Sequence, residues 1–429
     1  MSRYVIQGGY PIQGRVRASG NKNAALPCIA ATLLSDEPIR LTNIPDIEDV
    51  HVMFDILQEL GAQVEQLGKQ EWEVCCASVM ESKIPEELAS RVRASILFAG
   101  PMLGRLGKVE LPPPGGDVIG RRRLDTHFLA FRGLGASVDV NGKFILSANK
   151  LVGQDLFLDE ASVTATENAI MAAVKAEGET FIRNAASEPH VQDLCRMLNA
   201  MGGRIEGIGS NILKIRGVPE LGGCNFRIGA DFMEVGSFIG LAAATGGELV
   251  IEDADPEHMR MCRLAFGKLG IRWNVEGSNI IVPREQEMKV VRDMGGAIPQ
   301  IDDAPWPGFP PDLTSIMTVV ATQVEGTVLI HEKMFESRMF FVDKLIAMGA
   351  GIILCDPHRA VVSGPCRLRN ADLTSPDVRA GMAMVIAAMA AQGTSVIRNV
   401  YQIERGYENL TERLRSLGAK IERIGDEDC

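Results

Sequence analysis

Three groups of residues in this chain of 429 have the types and spacing needed to hold an anion and to move protons. The first lies at the starts of six apolar stretches: Asn21-Lys22-Asn23; Arg91 with Arg93; Ser162 with Thr164 and Thr166-Glu167; Asp231 with Glu234; Asp312; and Asp377 with Arg379. Helix N-termini present unpaired N–H groups and the positive end of a dipole, so they are ready anion sites. Asp231, Asp312 and Asp377 also suit a purely structural role as N-caps. Lys22, Arg93 and Arg379 fit that role less well, because a cation at a helix start is slightly unfavourable and needs a compensating anion.

The second group is the run Pro112-Pro-Pro-Gly-Gly-Asp117-Val-Ile-Gly-Arg121-Arg-Arg-Leu-Asp125-Thr-His127. Its prolines and glycines make a loop, and its three arginines are the densest positive charge in the chain. Such a run suits either a solvated surface or a mobile lid over an anionic substrate. The third is Pro305-Trp-Pro-Gly-Phe-Pro-Pro-Asp312, in which the prolines hold an extended approach to a helix and so aim Asp312. Phe335-Glu-Ser-Arg338 and Arg405-Gly406-Tyr407 fall in loops, where scaffolds of this kind carry function.

These groups sit on a unit repeated six times. Each copy closes a helix on Leu-Gly-Ala or a near relative, at Gly61, Gly135, Gly202, Gly270, Gly349 and Gly418, at intervals of 74, 67, 68, 79 and 69 residues. Each copy opens with a nearly uninterrupted apolar helix: 23–34, 93–103, 166–176, 233–245, 313–323 and 378–391. In five copies a Gly-led strand such as Gly326-Thr-Val-Leu-Ile330 follows, and then comes a one-striped helix such as 49–60 or 407–417. A helix apolar all round is buried, whereas a striped one lies on the surface. Six units exceed one core, so the sequence predicts two α/β domains of three units each, with buried helices at the centre and a ligand cleft between them.

Composition narrows the function. The formal net charge of −11 repels nucleic acid and anionic membranes. No apolar run reaches the roughly 18 residues needed to span a bilayer, and the first residues lack the pattern of a signal peptide. Nine cysteines without a CxxC pair fit a reducing cytoplasm, and six histidines without HExxH-like spacing predict no metal. Neither a P-loop nor a GxGxxG signature is present, so a nucleotide, if one binds, is held in another way.

In combination, Ser19-Gly-Asn-Lys-Asn-Ala-Ala-Leu-Pro27, Pro-Gly-Gly-Asp-Val-Ile-Gly120, Gly-Phe-Pro-Pro-Asp312, Phe-Glu-Ser-Arg338 and Ile-Glu-Arg-Gly-Tyr407 resemble the motifs of the UDP-N-acetylglucosamine enolpyruvyl transferases over the whole chain. The resemblance implies two inside-out α/β barrel domains, 22–229 and 1–21 plus 230–429, with the active site in the cleft. It implies transfer of the enolpyruvyl group of phosphoenolpyruvate to the 3-hydroxyl of UDP-N-acetylglucosamine, without a metal, as the first committed step of peptidoglycan synthesis. Lys22, Arg122 and Arg405 would hold the phosphate, and Arg338 and Arg379 the carboxylate, as suits arginine's planar fork. Asn23, Arg93, Arg122, Arg123, Leu124, Asp125, Thr126, Ser162, Val163, Asp312 and Met334 would line the nucleotide-sugar pocket. Asp312 would take the proton of the attacking hydroxyl, and Asp117 would give one to the methylene carbon.

The chain departs from that family at several positions. Asp117 stands where the commonest members have cysteine, in the manner of a known aspartate variant, so the epoxide drug fosfomycin, which alkylates the cysteine, is expected to have no effect. Neighbouring arginines would lower the Asp117 pKa, and a bound multiply charged substrate would cancel them and let the acid protonate. Phe232 replaces arginine, Thr164 glycine, Arg123 proline and His190 an acid. Phe232 and His190 read as surface or interdomain changes, while Thr164 and Arg123 lie nearer the nucleotide. The shikimate-pathway relative carries Gly-Asn-Ala-Gly-Thr where this chain reads Arg91-Val-Arg-Ala-Ser, which disfavours it; a silent nucleotide-sugar sensor would have lost Lys22 or Asp312, and both are present.

Overall fold

The computed structural model describes residues 2–116, 123–335 and 337–425. Each repeat glycine ends a surface helix: Glu48–Glu59, Asp125–Gly133, Pro189–Ala200, Arg260–Gly267, Val342–Ala347 and Leu410–Ser416. All six glycines have φ between +73° and +100°, a region that costs other residues about 1–2 kcal/mol. The next residue then donates its N–H five residues back, from Ala62 to Leu57, Ala136 to Phe131, Gly203 to Leu198, Ile271 to Phe266, Ala350 to Leu345 and Ala419 to Leu414, at 2.8–3.1 Å. The recurring Leu-Gly-Ala is thus a helix stop whose geometry demands glycine.

The apolar stretches form helices buried on every side: α1 (Lys22–Ala31), α2 (Ala99–Leu106), α3 (Val163–Ala173), α4 (Phe232–Thr245), α5 (Thr314–Ala321) and α6 (Val378–Ala390). Two of them open differently from the sequence expectation. The second stretch begins as a 3-10 helix, Arg93–Phe98, and α5 is preceded by the 3-10 turn Pro311–Leu313. The surface helix expected over 407–417 starts only at Leu410, because Asn409 sits at φ +46°, outside helical space.

The chain forms two compact units, 2–19 with 230–425 and 20–116 with 123–229. Residues 20 and 21, expected with the first unit, group with the second: a Cβ on Gly20 would lie 1.7 Å from the Asn43 carbonyl oxygen, and Asn21 donates its N–H to Gly229 O at 2.8 Å. Each unit has its own apolar core and three sheets. In the first, α4, α5 and α6 pack on one another. There, Gln13–Arg17 joins Glu248–Glu252, Gln300–Asp302 joins Gly326–His331, and Asp372–Thr374 joins Gly393–Arg398, each in parallel. In the second, α2 packs on α3, and α1 on the Arg93–Phe98 turn. Two of its sheets repeat the parallel pairing, through Cys224–Arg227 with Ile39–Thr42 and Asp155–Phe157 with Glu179–Arg183. In the third sheet the parallel strand shrinks to one bridge, Lys83 to Glu110. Among the described residues the sheets stay separate around the helices and do not join into one hydrogen-bonded barrel.

Candidate active site

The three aspartates that precede buried helices take different roles. Asp231 caps α4, accepting from the N–H groups of Met233 at 2.9 Å and Glu234 at 3.2 Å, and Asp377 caps α6 through Arg379 N–H at 2.8 Å and Ala380 N–H at 2.9 Å. Asp312 caps nothing. Its carboxylate accepts from Arg338 Nη2 at 2.5 Å and Arg379 Nε at 2.9 Å. Arg379, the second residue of α6, is buried and lies with its guanidinium carbon 5.3 Å from the centre of the Tyr407 ring. The Tyr407 hydroxyl in turn shares a 2.8 Å hydrogen bond with Ser237.

Charge decides what this arrangement can do. Burial alone would raise the Asp312 carboxyl, but the guanidiniums of Arg338 and Arg379 outweigh it and hold it well below the usual carboxylate range. Bound this way, Asp312 is a poor base. Each arginine nevertheless keeps a buried donor, Arg338 Nε and Arg379 Nη1, with no acceptor among the described residues. A buried guanidinium N–H left unpaired costs on the order of 1–3 kcal/mol, which an incoming oxyanion would recover. Arg405, also buried, closes the short helix Tyr401–Glu404 and sits 5.7 Å from the centre of the Tyr401 ring. Met334 is partly exposed and donates its N–H to Asp303 Oδ2 at 3.2 Å.

In the other unit, Lys22 opens α1, and Asn21 caps that helix by accepting from Asn23 N–H at 2.9 Å. The compensating anion for Lys22 is Asp49, whose carboxylate lies 2.6 Å from Nζ. Sequence reasoning missed it: Asp49 reads as an ordinary acid in the first turn of a surface helix, yet it is buried. Arg93 begins the 3-10 turn, and its charge falls on His127. Burial, and then Arg93, push the His127 pKa down to about 3, so the ring is neutral. Asn168 Nδ2 donates to Nδ1 at 2.9 Å, which leaves the His127 proton on Nε2, directed at the Thr164 hydroxyl 3.1 Å away. Asn168 also donates to Ile96 O at 2.9 Å and accepts from Gly100 N–H at 2.8 Å, tying α3 to the Arg93 turn.

Other expected pocket residues surround this network. Ser162 caps α3 through Ala165 N–H at 3.5 Å, and Val163, the first residue of that helix, packs against the core. Thr126 donates to Asp159 at 2.7 Å, Leu124 packs against the same core, and Arg123 pairs with Asp125 at 2.9 Å on the surface. Asp117 and Arg122 lie outside the described residues.

Two departures expected on the surface or between domains are buried. Phe232 is 1% exposed and meets Trp306 edge-on at 5.5 Å, and His190 is 3% exposed within the surface helix Pro189–Ala200. An aromatic ring at the first position of α4 fills core volume that a charged side chain could occupy only with a partner. Thr164 touches His127, as described, and Arg123 is exposed.

Buried helices, repeated three times in each unit, define a fold class shared with solved enzymes. The enolpyruvyl transferase NikO from Streptomyces tendae superposes with a TM-score of 0.87 at 24% identity, covering 99% of each chain. EPSP synthase from Acinetobacter baumannii superposes with a TM-score of 0.77 at 17% identity, over 99% of this chain and 100% of its own. The family model for EPSP synthase (3-phosphoshikimate 1-carboxyvinyltransferase) matches residues 6–414. A UDP-N-acetylglucosamine 1-carboxyvinyltransferase of Treponema denticola is 68% identical over 98% of this chain and 99% of its own, and that of Treponema pallidum is 63% identical over 99% and 100%. The chain belongs to the EPSP synthase family of carboxyvinyltransferases, and within it to the UDP-N-acetylglucosamine 1-carboxyvinyltransferases.

Proposed function

We propose that this enzyme transfers the enolpyruvyl group of phosphoenolpyruvate to the 3-hydroxyl of UDP-N-acetylglucosamine and releases phosphate, opening peptidoglycan synthesis in the cytoplasm. The observation that carries this reading is Asp312 held by Arg338 and Arg379 while each arginine retains a buried, unpartnered N–H. The substrate carboxylate takes those donors and competes with Asp312 for the same positive charge. Once the arginines are shared, Asp312 regains basicity and accepts the hydroxyl proton. The free base is thus produced by binding the substrate it serves. Lys22, Arg122 and Arg405 hold the phosphate, and Lys22 turns from Asp49 toward it.

In the addition step the sugar oxygen bonds to the central carbon of phosphoenolpyruvate, its proton goes to Asp312, and Asp117 protonates the methylene carbon. Elimination reverses the carbon protonation and expels phosphate. The nucleotide sugar is lined by Asn23, Arg93, Arg122, Arg123, Leu124, Asp125, Thr126, Ser162, Val163, Asp312 and Met334. A carboxylate at position 117 offers no thiolate to an epoxide, so fosfomycin leaves the enzyme active.

Phosphate release from phosphoenolpyruvate, measured with UDP-N-acetylglucosamine and separately with shikimate 3-phosphate, each with and without fosfomycin, tests the proposal. Release with the nucleotide sugar alone, unchanged by the drug, is expected. Release with shikimate 3-phosphate, or with neither acceptor, overturns the assigned acceptor. Covalent capture of the drug on Asp117 overturns the reading of that residue.

A further inference from the structure

Beneath Met334 and Arg338 lie two fully buried carboxyls, Asp303 and Glu332, neither of which the resemblance assigns. Asp303 Oδ1 accepts from the N–H of Lys333 and Oδ2 from that of Met334 at 3.2 Å, while Glu332 Oε1 accepts from Phe335 N–H at 3.2 Å. Three consecutive amides thus converge on one acid pair. Glu332 is itself anchored, since its N–H donates to His358 O at 2.8 Å and its carbonyl accepts from His358 Nδ1 at 2.8 Å. Its second oxygen, Oε2, is buried with no hydrogen-bond partner, as are Arg338 Nε and the Thr314 hydroxyl at the start of α5.

We propose that Asp303 and Glu332 act together as a positioning pair for Arg338, fixing the turn before it so that the guanidinium reaches Asp312 and the substrate carboxylate at once. This rests on the assignment of Arg338 to that carboxylate. Two neighbouring buried carboxyls cannot both ionise cheaply, and burial, followed by the charge of Asp303, pushes Glu332 up to about 9. Glu332 therefore stays a carboxylic acid at neutral pH. Because it carries no charge, it leaves Arg338 to Asp312 and to substrate. An ionised Glu332 would compete for the same guanidinium.

Steady-state kinetics of the full-length enzyme with each substrate varied, together with amide hydrogen exchange over 332–338, test the pair. Glu332→Gln keeps the side chain neutral and keeps an acceptor for Phe335 N–H, and its constants are expected within about twofold of the parent. Glu332→Ala is expected to raise the KM for phosphoenolpyruvate roughly tenfold or more, with the KM for the nucleotide sugar nearly unchanged, and to speed exchange at Met334 and Phe335. Asp303→Asn, which loses one amide acceptor, should fall between them and serves if the alanine variant does not fold. Equal losses for both substrates, a Glu332→Gln variant as impaired as Glu332→Ala, or unchanged exchange would each overturn the pair. The exchange arm reads the turn even if the parent enzyme uses other substrates, so failure of the pair and failure of the assigned reaction are distinguishable.

Discussion

The two units solve the problem of a buried cation in opposite ways. In the unit holding Asp312, one carboxylate serves two arginines and both keep a donor in reserve. In the unit holding Lys22, one carboxylate, Asp49, faces one ammonium, and the nearby histidine is neutralised by burial and by Arg93. The first arrangement is short of negative charge and waits for an anion; the second is balanced at rest. Substrate binding should therefore rearrange charge most where Asp312 sits.

Breaking the first arrangement should do the most damage. Asp312→Asn removes the proposed base and the carboxylate that, among the described residues, Arg338 and Arg379 share, so kcat should fall by about 10³ or more, and uncompensated buried charge should cost on the order of 3–5 kcal/mol in denaturant unfolding. Added phosphoenolpyruvate should restore part of that stability, because its carboxylate can replace the lost one. Failure of the ligand to stabilise the variant would remove the contrast between the units.

Breaking the balanced pair should cost less. Asp49→Asn keeps a hydrogen-bond acceptor for Lys22 and removes the resting competitor for its charge, so kcat/KM should change by no more than about tenfold. A loss as large as that of Asp312→Asn would mean that Asp49 does more than neutralise the lysine.

The pH dependence of stability sharpens the comparison. The folded-state pKa of Glu332 is raised from 4.5 to about 9, so the folded state binds a proton that the unfolded chain releases in between. That contribution is fully present below about pH 4.5 and fades as pH rises toward 9. Thermal unfolding should show the melting temperature falling across this range, and Glu332→Gln, which carries no titrating proton, should flatten the fall. A smaller contrast comes from the helix stops. Gly202→Ala places its Cβ in open space and should cost about 1–2 kcal/mol for φ alone, whereas Gly270→Ala would also meet Lys289 O at 2.7 Å and should cost more.

Much of this was visible in the residues themselves, for physical reasons. Gly61 and its five counterparts mark helix ends because only glycine tolerates the required φ, and the buried helices are legible because apolar residues dominate every side of their bodies. Residue type and position alone gave Asp231, Asp312 and Asp377 the same N-cap reading, since each precedes an apolar helix; the proline-rich approach and the family motif set Asp312 apart, and the arrival of Arg338 and Arg379 from distant segments gives that difference its physical form. Asp49, Asp303 and Glu332 were missed because a lone acid near a loop or helix start ordinarily faces water, and its burial depends on neighbours far along the chain. The burial of Phe232 and His190 was hidden for the same reason: a substitution relative to a family does not reveal the depth at which it occurs.

The division of the chain also bears on the order of synthesis. The stretch 20–229 begins and ends at neighbouring points, Asn21 N–H meeting Gly229 O, so it is complete as soon as it leaves the ribosome. The strand Arg3–Gly8, made before it, pairs with Gly393–Arg398 and Lys420–Ile424. The strand Arg3–Gly8 must therefore wait, unpaired with these partners, while the whole of the stretch 20–229 and most of the other unit are made.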